Sequence, residues 1–380
     1  MRPSLTRRAT WARLAPLAVA VACATACATA GTPGTGAAST PTPSTQSSGS
    51  PLVQAAWPVR TREHVDLWLH AYALLAPDSM LVPYFERGYR DRMLALRRQR
   101  GVTTLLDSSR DRLLARIAVQ PSLATSPQFL PFYFASWDQM QQVVSLFLQA
   151  NGNPRATSEP GLQEAFAVLG ASFQTAQDRE WLRLFIEAVN DERRKFYHDY
   201  WTGEAARHAP VVAHVDSLWQ GTWRPTFQRF LNNTQQQNGE LYLALPLGGE
   251  GRTVNFGKVQ NAVGVGMPDA LKTSETVLYT FAHEVAGSVA NAAIVDNTTP
   301  ADRRSGATSR YEQSAAVRAG AVLLQHVMPN AVPGYMRFYL EAAGRAAPPD
   351  PRDAFTSTFA VPAAISDAIA RQVEVILGGI

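Results

Sequence analysis

Cysteine is nearly absent: two occur among 380 residues, Cys23 and Cys27, both within the first thirty. Everything C-terminal to them therefore lacks a disulfide, a thiolate nucleophile and a cysteine metal ligand. A run long enough to span a bilayer is missing at the N-terminus too, since the apolar stretch Leu14 to Cys27 falls short of the roughly 20 residues required. Net charge is lacking once the start of the chain is set aside. The whole chain holds 35 Lys and Arg against 31 Asp and Glu, but Arg2, Arg7, Arg8 and Arg13 fall in a stretch without acids, and removing these four leaves 31 of each sign. A neutral domain without a basic stripe interleaved with aromatics gives nucleic acid no electrostatic footprint. Arg97-Arg98 and Arg193-Arg194-Lys195 read as solvated helix faces. No Gly-x-Ser-x-Gly elbow, P-loop or Gly-x-Gly-x-x-Gly fingerprint is present.

What is there begins with a leader. Arginines followed by an alanine- and valine-rich run, then small residues, form a secretory signal peptide over 1–30. Two cleavage points stay open: an Ala-x-Ala site ending at Ala30, and a lipoprotein-type cut before Cys23 in Ala20-Val21-Ala22-Cys23. The second would make Cys23 a lipid anchor and the chain's one link to a membrane. The protein is accordingly expected to be exported, as a periplasmic, cell-envelope or secreted species. Residues 31–56 are rich in Gly, Ser, Thr and Pro without charge, the composition of a disordered tether.

A single domain is expected over 57–380, large enough to bury about three quarters of its unfolded surface without covalent staples. Its first part, 57–235, reads as helical, with helices over Val65–Leu75, around Met93 to Leu96, and over Leu105–Val119, Trp137–Ala150, Leu162–Phe173 and Asp178–Tyr200. Trp181, Phe185 and Phe196 are assigned to the core. The texture changes over 238–326. Glu240–Leu245, Thr253–Phe256 and Gln260–Met267 have strand character, Leu247 to Gly251 reads as a hairpin loop, and Gly264 and Gly266 leave space for a close approach to the backbone. Long helices follow over Ser274–Val295 and Ser309–His326, with further helices expected over 327–380. The fold class is α+β, mainly α-helical, with a small sheet before the long helix.

That helix contains Val277-Leu-Tyr-Thr-Phe-Ala-His-Glu-Val-Ala-Gly287. Its His283-Glu284 pair, downstream of strands, resembles the zincin metallopeptidase motif His-Glu-x-x-His of the glutamate-type group. In that motif two histidines one turn apart hold zinc, and the glutamate polarises a water. The resemblance covers about residues 240–326. It implies a zincin-like domain with His283 and Glu312 as metal ligands, Glu284 as general base, Tyr311 as an oxyanion-stabilising residue, and the Gln260–Met267 strand aligning an extended peptide. It departs from the motif at one decisive position, where Gly287 replaces the second histidine. His198, His208 and His214 are the histidines that folding could bring in as a substitute.

Each residue also has a plainer account. His283 can be a hydrogen-bonded core histidine, Glu284 a carboxylate paired with an arginine, Tyr311 an exposed tyrosine at a helix start, and Ser309-x-x-Glu312 a capping box. Three functions follow. The first is an exported zincin-like homologue whose zinc site is impaired or lost and which binds a peptide or protein, or serves as a scaffold. The second is an active zinc peptidase with a non-standard ligand set. The third is a helical exported protein unrelated to peptidases. Oligomeric state is not readable from the sequence.

Overall fold

The computed structural model describes residues 57–75, 80–255 and 261–378. The expected signal peptide and linker lie outside the described residues. Among the described residues the chain is mainly helical with one four-stranded sheet, as its alternation of long amphipathic stretches and short β-suited runs requires. The strands are β1 (Val59–Arg60), β2 (Glu240–Ala244), β3 (Arg252–Asn255) and β4 (Asn261–Gly266), in spatial order β1-β2-β4-β3. The first three positions in that order run parallel, and β3 pairs antiparallel with β4 at the edge.

Period-two alternation makes this sheet the wall between two cores. Leu241 and Leu243 of β2, with Val263 and Val265 of β4, enter one hydrophobic cluster, while Tyr242, Ala244 and Ala262 enter the other. Both faces are thus covered, which is why β2 and β4 read as continuous apolar runs rather than as alternating ones. The second cluster is built by α1 (Glu63–Leu75), α2 (Tyr89–Gln99), α3 (Leu105–Val119), α4 (Trp137–Gln149), α5 (Pro160–Ser172) and α6 (Ala176–Glu192). On that face Phe132 stacks on Tyr242 at 5.0 Å, and a Cβ on Gly264 would come within 2.6 Å of the Phe132 ring. A Cβ on Gly266 would meet the Leu247 carbonyl at 2.7 Å. What approaches the two glycines closely is the chain itself.

Helix continues from α6 through a π turn, Arg193–Tyr197, into α7 (His198–Leu218), and through a second π turn, Trp219–Trp223, into α8 (Arg224–Asn233). Each π turn admits an extra residue and rotates the following buried face. The rod can therefore bury Trp181, Phe185 and Phe196 in the core built by α1 to α6, and Trp219, Phe227 and Phe230 in the core on the sheet's other face. Trp57, the first described residue, is buried where these parts meet. Its indole donates to the Gln236 carbonyl at 3.1 Å, and its own carbonyl accepts from Trp219 Nε1 at 2.8 Å.

The core on that other face is completed by α9 (Glu275–Asp296), α11 (Ala307–Val327), α12 (Val332–Ala342), α13 (Arg352–Thr358) and α14 (Ala363–Gly378), while α10 (Pro300–Arg304), with no buried residue, links α9 to α11. The sequence expectation is corrected in two places. β4, the strand expected to align an extended peptide, is an interior strand paired on both sides, and the edges are β1 and β3. The Leu247–Gly251 stretch is no hairpin loop, because β2 and β3 do not pair; the tract carries the chain past β4 to the sheet's far edge. Among the described residues no helix is long and apolar enough to cross a membrane.

Asp66 ties α1 to α7 and to the end of β2. Its carboxylate accepts from Trp201 Nε1 at 2.8 Å and from the Leu245 amide at 3.2 Å, and it is 1% exposed. Burial pushes its pKa up to about 8, against the pull of these two donors. Because the folded value lies above the unfolded one, its contribution to stability is complete below the ordinary carboxylate range and is lost as pH rises toward 8. Between pH 5 and 7 the unfolding free energy of the native chain should therefore fall relative to that of Asp66→Asn, by on the order of 1 kcal/mol per pH unit. Urea titrations at several pH values measure this, and parallel pH profiles would show that Asp66 is not protonated in the fold.

Candidate functional site

α9 is apolar on nearly every side, with Val277, Leu278, Phe281, Ala282, Val285, Ala286 and Val289 buried. Such a helix belongs in the middle of a core, and polar side chains on it must find partners there. His283 and Glu284 find each other first. Neighbouring helical residues diverge, yet Glu284 folds back so that its Oε1 lies 2.9 Å from His283 Nδ1. The same oxygen accepts from the Gly251 amide at 3.0 Å, which fastens α9 to the segment leading into β3.

Gly251 reaches this position because it has no side chain: a Cβ there would overlap the Gly264 carbonyl oxygen. Its neighbour Glu250 is buried and accepts at Oε1 from Gln313 Nε2 of α11 at 2.7 Å. Gln313 also donates to the Val82 carbonyl at 2.8 Å. On its other side the His283 ring stacks on Tyr339 of α12, with centroids 5.4 Å apart. Burial opposes protonation of His283, but the hydrogen bond to Glu284 and the charges of Glu284 and Glu250 outweigh it and raise the imidazole above its ordinary value. One atom remains: His283 Nε2 is buried without a hydrogen-bond partner among the described residues.

α11 closes the site through a second glycine. A Cβ on Gly320 would overlap the Tyr335 hydroxyl and stand 3.1 Å from His283 Cα. The helices can touch here only because the side chain is missing.

His283 and Glu284 are thus brought together, and the arginine partner expected for Glu284 is replaced by a histidine and a main-chain amide. Glu312 is not brought to them. It is exposed, eight residues before Gly320, or about 12 Å along α11 from the contact with His283. The capping box is corrected as well: α11 begins at Ala307 behind Gly306, whose φ is 73°, so Ser309 already lies within the helix. Tyr311 is half-buried and packs on the core rather than standing exposed. Gly287 offers no donor, and a Cβ there would meet nothing within 4 Å. His198 pairs with Glu63 at 3.0 Å, His208 lies 2.9 Å from the Glu204 carbonyl, and His214 is exposed on α7. Among the described residues no three of His, Cys, Asp and Glu gather in a group that could hold a metal ion.

The residues that sequence reasoning passed over are Glu250, Gly251, Gln313 and Tyr339. A usable signal lay in Gly248-Gly-Glu-Gly251, an acid embedded in glycines between two strands, where the backbone is free to approach another element closely. No family model, curated protein or solved structure matches this chain.

The two glycines facing the site should respond in opposite ways to the same substitution. Gly320→Ala is expected to lower the unfolding free energy by about 1–3 kcal/mol through overpacking. Gly287→Ala is expected to leave it unchanged or raise it by up to about 1 kcal/mol through helix propensity. Equal effects in urea denaturation would contradict the packing described for α9 and α11.

Proposed function

We propose that the chain is an exported zincin-like domain in which the zinc centre has given way to a buried polar lock, and which binds a peptide or protein ligand, or serves as a scaffold, rather than hydrolysing it. The observation that carries this reading is the state of Glu284. A general base must present its carboxylate to a water beside the metal. Here one oxygen of that carboxylate, Oε1, is committed to both His283 Nδ1 and the Gly251 amide. The placement of the His-Glu helix directly after the strands, as the resemblance implies, supports zincin ancestry.

The donor set does not fit a catalytic zinc. Such a site takes three protein ligands and keeps one open position. His283 supplies one nitrogen, Gly287 supplies none, and Glu312 is exposed and about 12 Å along α11 from the contact with His283. A retained, non-standard metal site is favoured by one observation, the unpartnered and buried His283 Nε2.

Zinc content after purification in the presence of zinc separates the two. The expected result is substoichiometric zinc in the native chain, unaltered by Glu312→Ala. Stoichiometric zinc lost in both His283→Ala and Glu312→Ala would overturn the polar-lock reading. Gly287→His, placed where a side chain has room, is expected to raise zinc affinity at least about tenfold if α9 descends from a zinc-binding helix.

A further inference from the structure

A cavity of about 260 Å³ lies where the C-terminus of α1 meets α2 and α3. We propose that it binds a small oxyanion, a phosphate or carboxylate group, through the guanidinium groups of Arg90, Arg97 and Arg110. This inference is independent of the zincin reading.

Arg97 shows why the cavity needs an acceptor. Its sequence suggested a solvated helix face, but the side chain is 3% exposed, inside a network that joins α1, α2, α3 and α6. Within that network Glu192 lies 3.1 Å from His70 Nε2 and accepts from the Thr104 hydroxyl at 2.6 Å; Arg97 stands 3.4 Å from the same glutamate. Arg97 Nη2 also donates to Thr104 Oγ1 at 3.0 Å and pairs with Asp107. With so many partners on one nitrogen, Arg97 Nε is left buried with no hydrogen bond among the described residues. An unsatisfied buried N–H costs about 1–3 kcal/mol, more on a charged group.

Arg90 and Arg110 flank it. Arg90 Nε donates to the Leu74 carbonyl at 3.3 Å and Arg110 Nη2 to the Leu75 carbonyl at 2.9 Å, so each caps the end of α1. A guanidinium has five N–H donors, and capping uses one of them. No carboxylate pairs with Arg90 among the described residues, and the partner of Arg110, Asp111, is 4.0 Å away and fully exposed. Among the described residues Asp107 is the one carboxylate lining the cavity. Counting Glu192 behind Arg97, three cations face two anions among the described residues, which leaves one positive charge in excess there. Capping alone explains Arg90 Nε and Arg110 Nη2, but not the empty Arg97 Nε or the excess charge. An oxyanion accounts for both, since paired oxygens match the guanidinium fork. Leu94 and Leu106 form an apolar wall that accommodates a short hydrocarbon attached to the anion.

Calorimetric titration of the full chain with inorganic phosphate, and separately with butyrate, at an ionic strength held constant with chloride, tests the proposal. Saturable one-site binding of at least one anion is expected, with a melting-temperature rise of roughly 3 °C at twenty times its Kd. Binding of phosphate alone assigns the site to phosphates; binding of butyrate assigns it to organic acids. Arg90→Gln and Arg110→Gln should each weaken binding at least about tenfold, while Arg112→Gln, remote from the cavity and paired with Glu180, should not alter it. Should the glutamine variants fail to fold, Arg90→Lys keeps the charge but loses the fork, and is expected to bind more weakly than the native chain. No saturable binding of either anion, or unchanged affinity in the folded arginine variants, would overturn the site.

Discussion

The two-sided burial of the sheet is the constraint on which the rest depends. Because Leu241, Leu243, Val263 and Val265 face one core while Tyr242, Ala244 and Ala262 face the other, β2 and β4 need helices on both sides. A one-residue slip would exchange the two faces and place Tyr242 where Leu241 packs. The parallel pairing of β2 with β4 demands a connection that leaves the sheet and returns, and the antiparallel β3 lies on that connection. Gly251 and Glu250 come to α9 for the same reason. The site is therefore a by-product of the sheet's connectivity before it is anything chemical.

Long elements were legible in the sequence because their periodicity is repeated many times. The helices at Leu105–Val119, Trp137–Gln149 and Glu275–Asp296 agree with the expected boundaries within one or two residues. Strand positions were legible too, but their pairing was not. Turn residues announce a reversal without saying which strand lies beside which, so the glycine-rich tract after β2 read as a hairpin when it is a passage past β4. Burial of single charges was illegible for a related reason. Arg97 and Arg98 are adjacent and identical, yet Arg97 is buried because Glu192 and Thr104 arrive from distant parts of the chain.

The two buried polar clusters differ in how far they are closed. Around His70 both ring nitrogens are used, one by the Tyr89 hydroxyl at 3.0 Å and one by Glu192, and burial still holds the imidazole below its ordinary value. Around His283 one nitrogen is used and the other is empty, while the carboxylates beside it raise the imidazole above its ordinary value. The first cluster accounts for its histidine by packing alone. In the second, packing accounts for Nδ1 and for the stacking on Tyr339, and leaves Nε2 over.

That asymmetry decides what the His-Glu dipeptide can be made to say. Glu284 joins His283 to the Gly251 amide, and a hydrogen bond to a charged group contributes about 1.5–3 kcal/mol. Removing the carboxylate would strand two buried donors, so the fold has its own use for this glutamate whether or not a substrate is ever bound. The same argument covers Gly320, which exists to let α11 touch α9 at His283. Neither residue therefore testifies to hydrolysis. What the packing of α9, α11 and α12 leaves unassigned is His283 Nε2, which has no hydrogen-bond partner among the described residues.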